Sequence, residues 1–220
     1  MNAGHQRLAI TFWTLGIGLY AASGLAQDDA ALTSPPPWVL EVKTGRFEPD
    51  LDGYERFYAD EEARTYAISF AYRFKPWLEV GSEIAYARDQ GFGIQSLSGM
   101  PGGTVKYTLI PARIFVNFLA LVKENQLAVP YVSVGATRAY YKQDVELQSE
   151  VDGRTDLGAF VRIGIQLSMD RLDPGTANRR SALKRTYLFF ESQRFTSEVD
   201  NIDLGGDAYV LGIRFEFGKD

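Results

Sequence analysis

Between Trp38 and Phe217 apolar and polar residues alternate in short runs separated by turn residues. A period of two is the mark of a strand with one apolar face. In the last run Tyr209, Leu211, Ile213, Phe215 and Phe217 share one face, opposite Ala208, Val210, Gly212, Arg214 and Glu216. The first run sets Leu40 and Val42 against Glu41 and Lys43. The second sets Tyr66, Ile68, Phe70, Tyr72 and Phe74 against Ala67, Ser69, Ala71 and Arg73. The third sets Leu78, Val80, Ile84 and Tyr86 against Glu79, Gly81, Glu83 and Ala85. A fourth sets Ile110, Ala112, Ile114, Val116 and Phe118 against Arg113 and Asn117, and Pro111 within it predicts a local break or bulge in the ladder. The fifth sets Val132, Val134 and Ala136 against Tyr131, Ser133, Gly135 and Thr137; the sixth, Leu157 through Leu167 against Phe160, Arg162 and Gln166. In the seventh, Leu188 and Phe190 face away from Phe189, Glu191 and Gln193. The pattern predicts an all-β chain of eight antiparallel strands of about ten residues, an even number that lets an up-and-down meander close into a barrel.

Alternation does not say which face points inward. A soluble sandwich hides the apolar face, whereas a transmembrane β-barrel turns it to lipid and encloses the polar one. The charges on the polar faces balance: Glu41, Glu79, Glu83, Glu191 and Glu216 against Lys43, Arg73, Arg113, Arg162 and Arg214. A solvated face has no need of balance, but a narrow lumen does, because an unpaired ion there costs several kcal/mol. Gly and Ala share these faces, as the crowded interior of a small barrel requires. The same assignment sends Arg138 to the lipid side, tolerable only near a rim. Trp38 opens the first strand and Trp77 sits in the Lys75-Pro76-Trp77 turn, so both fall at one end, with Phe74, Phe118 and Phe217 nearby; Tyr86, Tyr140, Tyr141 and Tyr209 would supply the girdle at the other. Long loops follow the odd-numbered strands, and two of the three opposite turns are short, which suits an outer membrane. The competing expectation is a soluble periplasmic ligand-binding barrel with ordinary core aromatics.

Composition narrows the chemistry. A mean hydropathy of −0.16 is too polar for a helical membrane protein. There is no Cys, and the one His is His5. His5 and Arg7 precede a largely apolar run, Leu8 to Leu25, that ends in Gly24-Leu25-Ala26, so residues 1–26 read as a cleavable signal peptide, against the alternative of a retained anchor. Residues 27–37 then form a Pro-rich linker, 38–217 the barrel and 218–220 a short tail. A mature chain starting at Gln27 contains no histidine.

The spacing Gly212-x-x-Phe215-x-Phe217 resembles the C-terminal signal by which bacterial outer-membrane barrels are recognised for insertion. The mature chain as a whole resembles the small outer-membrane barrels of the OmpA, OmpX and OmpW kind. More narrowly, Val129-Pro130-Tyr131-Val132, Leu172-Asp173-Pro174 and Thr186-Tyr187-Leu188-Phe189-Phe190-Glu191 resemble a family of outer-membrane barrels with no assigned activity. The resemblance implies location in a Gram-negative outer membrane, contact with its lipid and lipopolysaccharide, and insertion by the barrel-assembly machinery. It also implies two functional alternatives: a plugged barrel with a structural or surface role, or a narrow channel for small or apolar solutes. Enzymes on such barrels rely on a His base, which this mature chain lacks. No catalytic residue, metal ligand or cofactor is expected, and nothing resembles a phosphate-cradling loop or a nucleic-acid surface. Glu79 and Glu83, the one carboxylate pair on a shared face, are expected to salt-bridge rather than do acid–base work. The loops 48–64 and 196–207 are rich in Asp and Glu; calcium could bridge them to lipid phosphates, though hydration is the usual role of such runs. Arg179, Arg180, Lys184 and Arg185 form a basic cluster at the opposite end.

Overall fold

A computed structural model describes residues 36–51, 54, 58, 62–92, 103–120, 126–146, 150–169, 182–200 and 202–218. Residues 1–26, most of the linker, the 123–125 turn, Asp173-Pro174, Arg179 and Arg180 lie outside the described residues. The strands are β1 (Trp38–Pro49), β2 (Ala63–Lys75), β3 (Leu78–Phe92), β4 (Thr104–Leu119), β5 (Ala128–Val145), β6 (Val151–Arg154), β7 (Gly158–Ser168), β8 (Leu183–Phe195), β9 (Glu198–Val199), β10 (Ile202–Asp203) and β11 (Gly206–Phe217). Sequential antiparallel pairing runs β1 to β5, then β7, β8 and β11, and β11 pairs with β1 to close an eight-stranded barrel. Strand β6 continues β7 outward along β5. Tyr140 faces Arg154 but Thr137 faces Gly158, so this stave carries one extra residue, a bulge held by Ala139 N donating to the Thr155 hydroxyl at 2.9 Å.

The registers fix the tilt. Followed from strand to strand, Trp38 leads through Tyr72, Val80, Val116, Val134, Val161, Arg194 and Asp207 back to β1 at Glu48, ten residues beyond the start. Such a stagger is what a closed sheet of inclined strands requires. At Pro111 the β3–β4 ladder skips from Ile84–Ala112 to Ala87–Leu109 without changing register: the missing N–H breaks the ladder and makes no bulge.

The partition is inside-out. Ile68, Ile84, Ile114, Ile163, Phe190 and Leu211 are exposed on the outer face, Ile114 at 65%, while the charged inward positions are almost wholly covered. A band of this kind belongs against lipid, as in a transmembrane barrel. Trp38 is exposed at its lower edge, its ring 5.2 Å from Phe70 and 4.8 Å from Tyr72, and Trp77 stacks on Phe118 at 6.5 Å. At the other edge Tyr66, Tyr86, Tyr140 and Tyr209 point outward. Tyr141 does not join them; it packs against the interior cluster, because its parity on β5 is that of buried Ala139.

The strands are also longer than the expected ten residues. β3, β4 and β5 have 15, 16 and 18. At about 3.3 Å per residue β5 runs roughly 60 Å, well past an apolar band about 25 Å tall. Part of the sequence-assigned loops is therefore wall: β5 extends to Val145 and β6 covers 151–154, while the 196–207 segment holds the β9–β10 hairpin as a separate two-stranded sheet. Beyond the membrane the outward face meets water as well and carries polar residues, so the apolar–polar alternation that marks a strand fades.

Candidate functional site

Strand parity places Glu41, Lys43, Arg73, Glu79, Glu83, Arg113, Arg162, Glu191, Arg214 and Glu216 inside the barrel, each at most 6% exposed. All ten belong to one connected network. At the end nearer Trp38 and Trp77, Arg73 Nε donates to Glu79 at 2.9 Å, and its terminal nitrogens hold Glu216. Arg214 reaches Glu79, Glu216 and Glu41, the last at 3.1 Å. Further in, Lys43 Nζ lies 2.7 Å from Glu83, 2.8 Å from Glu191 and 3.2 Å from Glu41. Arg113 donates to Glu83, and Arg162 lies 3.3 Å from Glu83 and 3.6 Å from Glu191. Glu41 joins the two groups, since it faces both Arg214 and Lys43. Removing water from ten charges is costly, and what offsets it is the equal number of each sign, with two or three opposite charges beside every member except Arg113, which has Glu83.

Neutral groups complete the lattice. Tyr131 donates to Glu191 at 2.6 Å, Ser69 to Glu41 at 2.6 Å, Asn117 to Glu79 at 3.0 Å, and Gln193 to Glu191. Arg162 donates to Ser133 at 2.7 Å and to Asn117 at 2.8 Å, and Ser133 donates to Asn117. The signal for these partners lay in their parity, which matches that of the charges. Aromatic rings cover the cations: Phe115 lies 4.2 Å from the Arg162 guanidinium, and Phe160 and Phe195 lie 4.8 and 4.5 Å from that of Arg113. Glycines make room for such rings. A Cβ on Gly164 would lie 2.6 Å from the Tyr131 ring, and one on Gly212 would collide with Phe189, over which Lys43 sits at 5.4 Å.

Above the network the mouth is filled. Phe47 stacks on Phe195 at 5.3 Å, and Tyr54 stacks on Tyr58 at 4.3 Å with both rings against Tyr107. Nothing in the sequence marked these tyrosines, since a plug tyrosine and a girdle tyrosine read alike. Tyr54 donates to Asp89 at 2.6 Å. Burial and this bond hold the Tyr54 hydroxyl well above its ordinary range, and burial pushes Tyr58 up to about 12. The acidic loops are partly paired: Asp50 and Asp207 both face Arg194, and Asp203 accepts from the backbone of Ser197 and Gly205. Among the described residues no group of three or more potential ligands converges on a metal position.

Gly212 is buried on the lumen face, whereas Phe215 and Phe217 point outward, their rings 6.5 Å apart beside Trp38, which pairs with Phe217. No protein-family model and no curated protein sequence matches the chain. Solved structures share its architecture, among them the following two. Neisserial surface protein A aligns with a TM-score of 0.53 at 11% identity, over 82% of this chain and 97% of that one. The outer membrane protein OprG from Pseudomonas aeruginosa aligns with a TM-score of 0.55 at 12% identity, over 84% and 97%. The chain therefore has the fold of the small outer-membrane β-barrels.

Proposed function

We propose that this chain is an integral outer-membrane barrel with a closed lumen, exported after cleavage at Ala26, whose role is structural or surface-interacting rather than catalytic. The supporting observation is the lumen itself: ten mutually neutralising charges, with Glu79, Glu191 and Glu216 at 0% exposure, capped by Phe47, Tyr54, Tyr58 and Tyr107. Carboxylates held in this way by several cations are structural rods across the barrel, not free acids or bases. The apolar outer belt supports a lipid environment, and the likeness to proteins named for the surface and the outer membrane agrees with it. Lipopolysaccharide on the outside and the assembly machinery during insertion are the corresponding partners, with Gly212, Phe215 and Phe217 as the insertion signal and Trp38 and Trp77 as anchors at the inner interface.

Single-channel recording of the refolded barrel in a planar bilayer tests the closed lumen. The wild type is expected to be silent, and Glu79→Gln with Glu83→Gln to conduct intermittently, because their cations lose countercharge. Steady wild-type conductance altered by that pair would establish the alternative, a narrow solute channel. That alternative draws on four buried interior atoms without a hydrogen-bond partner among the described residues, the Tyr107 and Thr137 hydroxyls, Arg113 Nε and Gln166 Oε1, which would give a permeating solute polar footholds.

A further inference from the structure

Three arginines stand side by side on the outer wall. Arg46 of β1 is directly opposite Arg64 of β2, and Arg64 is directly opposite Arg88 of β3. All three are exposed, the Arg46 side chain at 73%. Like charges opposite one another on neighbouring strands are destabilising. Elsewhere on this rim the wall avoids that cost: Arg194 is registered against Asp207 and bonded to it at 2.7 Å, and Lys106 is registered against Asp144. On the arginine row Glu62 bonds to Arg46 at 2.8 Å, whereas Arg64 and Arg88 have no carboxylate partner among the described residues.

What lies beneath the row says what it faces. Down the β2–β3 pair the outward register reads Arg64–Arg88, then Tyr66–Tyr86, then Ile68–Ile84. Isoleucines suit acyl chains, tyrosines the interface, and paired guanidiniums a bidentate anion at headgroup depth. We infer that Arg46, Arg64 and Arg88 form a phosphate-binding site for a phosphorylated glycolipid of the outer leaflet, whose acyl chains lie along the tyrosine and isoleucine pairs below. The assignment rests on the outer-membrane reading above and gives its lipid partner a specific seat.

The test uses the refolded mature barrel in neutral detergent micelles, titrated with diphosphoryl lipid A and followed by native mass spectrometry. Arg64→Gln with Arg88→Gln is expected to weaken binding on the order of tenfold. Arg194→Gln, whose guanidinium is already engaged by Asp207 and Asp50, should bind as wild type does. Equal binding by the double variant, equally tight binding of the dephosphorylated glycolipid, or competition by inorganic phosphate at lipid concentrations would each overturn the site. Flotation with phosphatidylcholine vesicles separates the two levels. Barrels that float yet show no arginine dependence sink the lipid site alone, whereas a wild-type barrel that does not float sinks the membrane reading with it.

Discussion

Arg214 contacts three carboxylates, Glu41, Glu79 and Glu216, in a space it shares with no bulk water. Replacing it with methionine leaves those carboxylates short of countercharge, and such truncations cost about 3–5 kcal/mol. We expect that loss in urea unfolding of the barrel from lipid vesicles; a change under about 1 kcal/mol would show that neighbouring cations redistribute. Removing one charge of each sign, as in Arg73→Met with Glu216→Met, should cost less than the two single changes together, because each single change strands the other's partner. Parity alone places these charges on the inward face. Their partners were not readable, since Lys43 meets Glu191 only through closure of the sheet.

At the level of the strand, position along the membrane normal decides what an outward residue may be. Ile68 and Ile84 face each other within the belt, and Ile68→Arg is expected to destabilise the barrel by about 2–4 kcal/mol in vesicle unfolding. The same side chain is native at Arg64 and at Arg138, whose Nε donates to the Thr155 carbonyl at 3.0 Å near the bulge. A penalty under about 1 kcal/mol in vesicles would place Ile68 outside the apolar belt. Strand identity was legible wherever one face is dry. It faded past the belt, where Lys142, Asp144 and residues 151–154 lie in strands that the pattern assigns to a loop.

For the molecule as a whole, the plug couples the first outer loop to the wall through Tyr54, Tyr58, Tyr107 and Asp89. Raised tyrosine pKa values favour the neutral phenols in the folded state. Their contribution is therefore complete below the ordinary tyrosine range, about pH 10, and declines as pH rises through about 12. Near-ultraviolet circular dichroism of the wild type should hold its tyrosine signal to about pH 10 and lose it above, whereas Tyr54→Phe with Tyr58→Phe should lack that transition. Tyrosinate absorbance from these two residues at ordinary pH would contradict the docked plug.

The amino-acid order by itself determined the eight barrel staves, the face of most membrane-level residues and the charge balance inside, because each follows from a period of two or from composition. The tertiary structure decided what depends on closure and stagger. Strands inclined so that the register returns to β1 at Glu48 bring Arg214 to Glu79 and Lys43 to Glu191. The registers of the adjacent pairs β1–β2 and β2–β3 set Arg46, Arg64 and Arg88 in one row. No local pattern encodes the meetings inside the lumen, since contact across a barrel depends on the number and tilt of all the strands between.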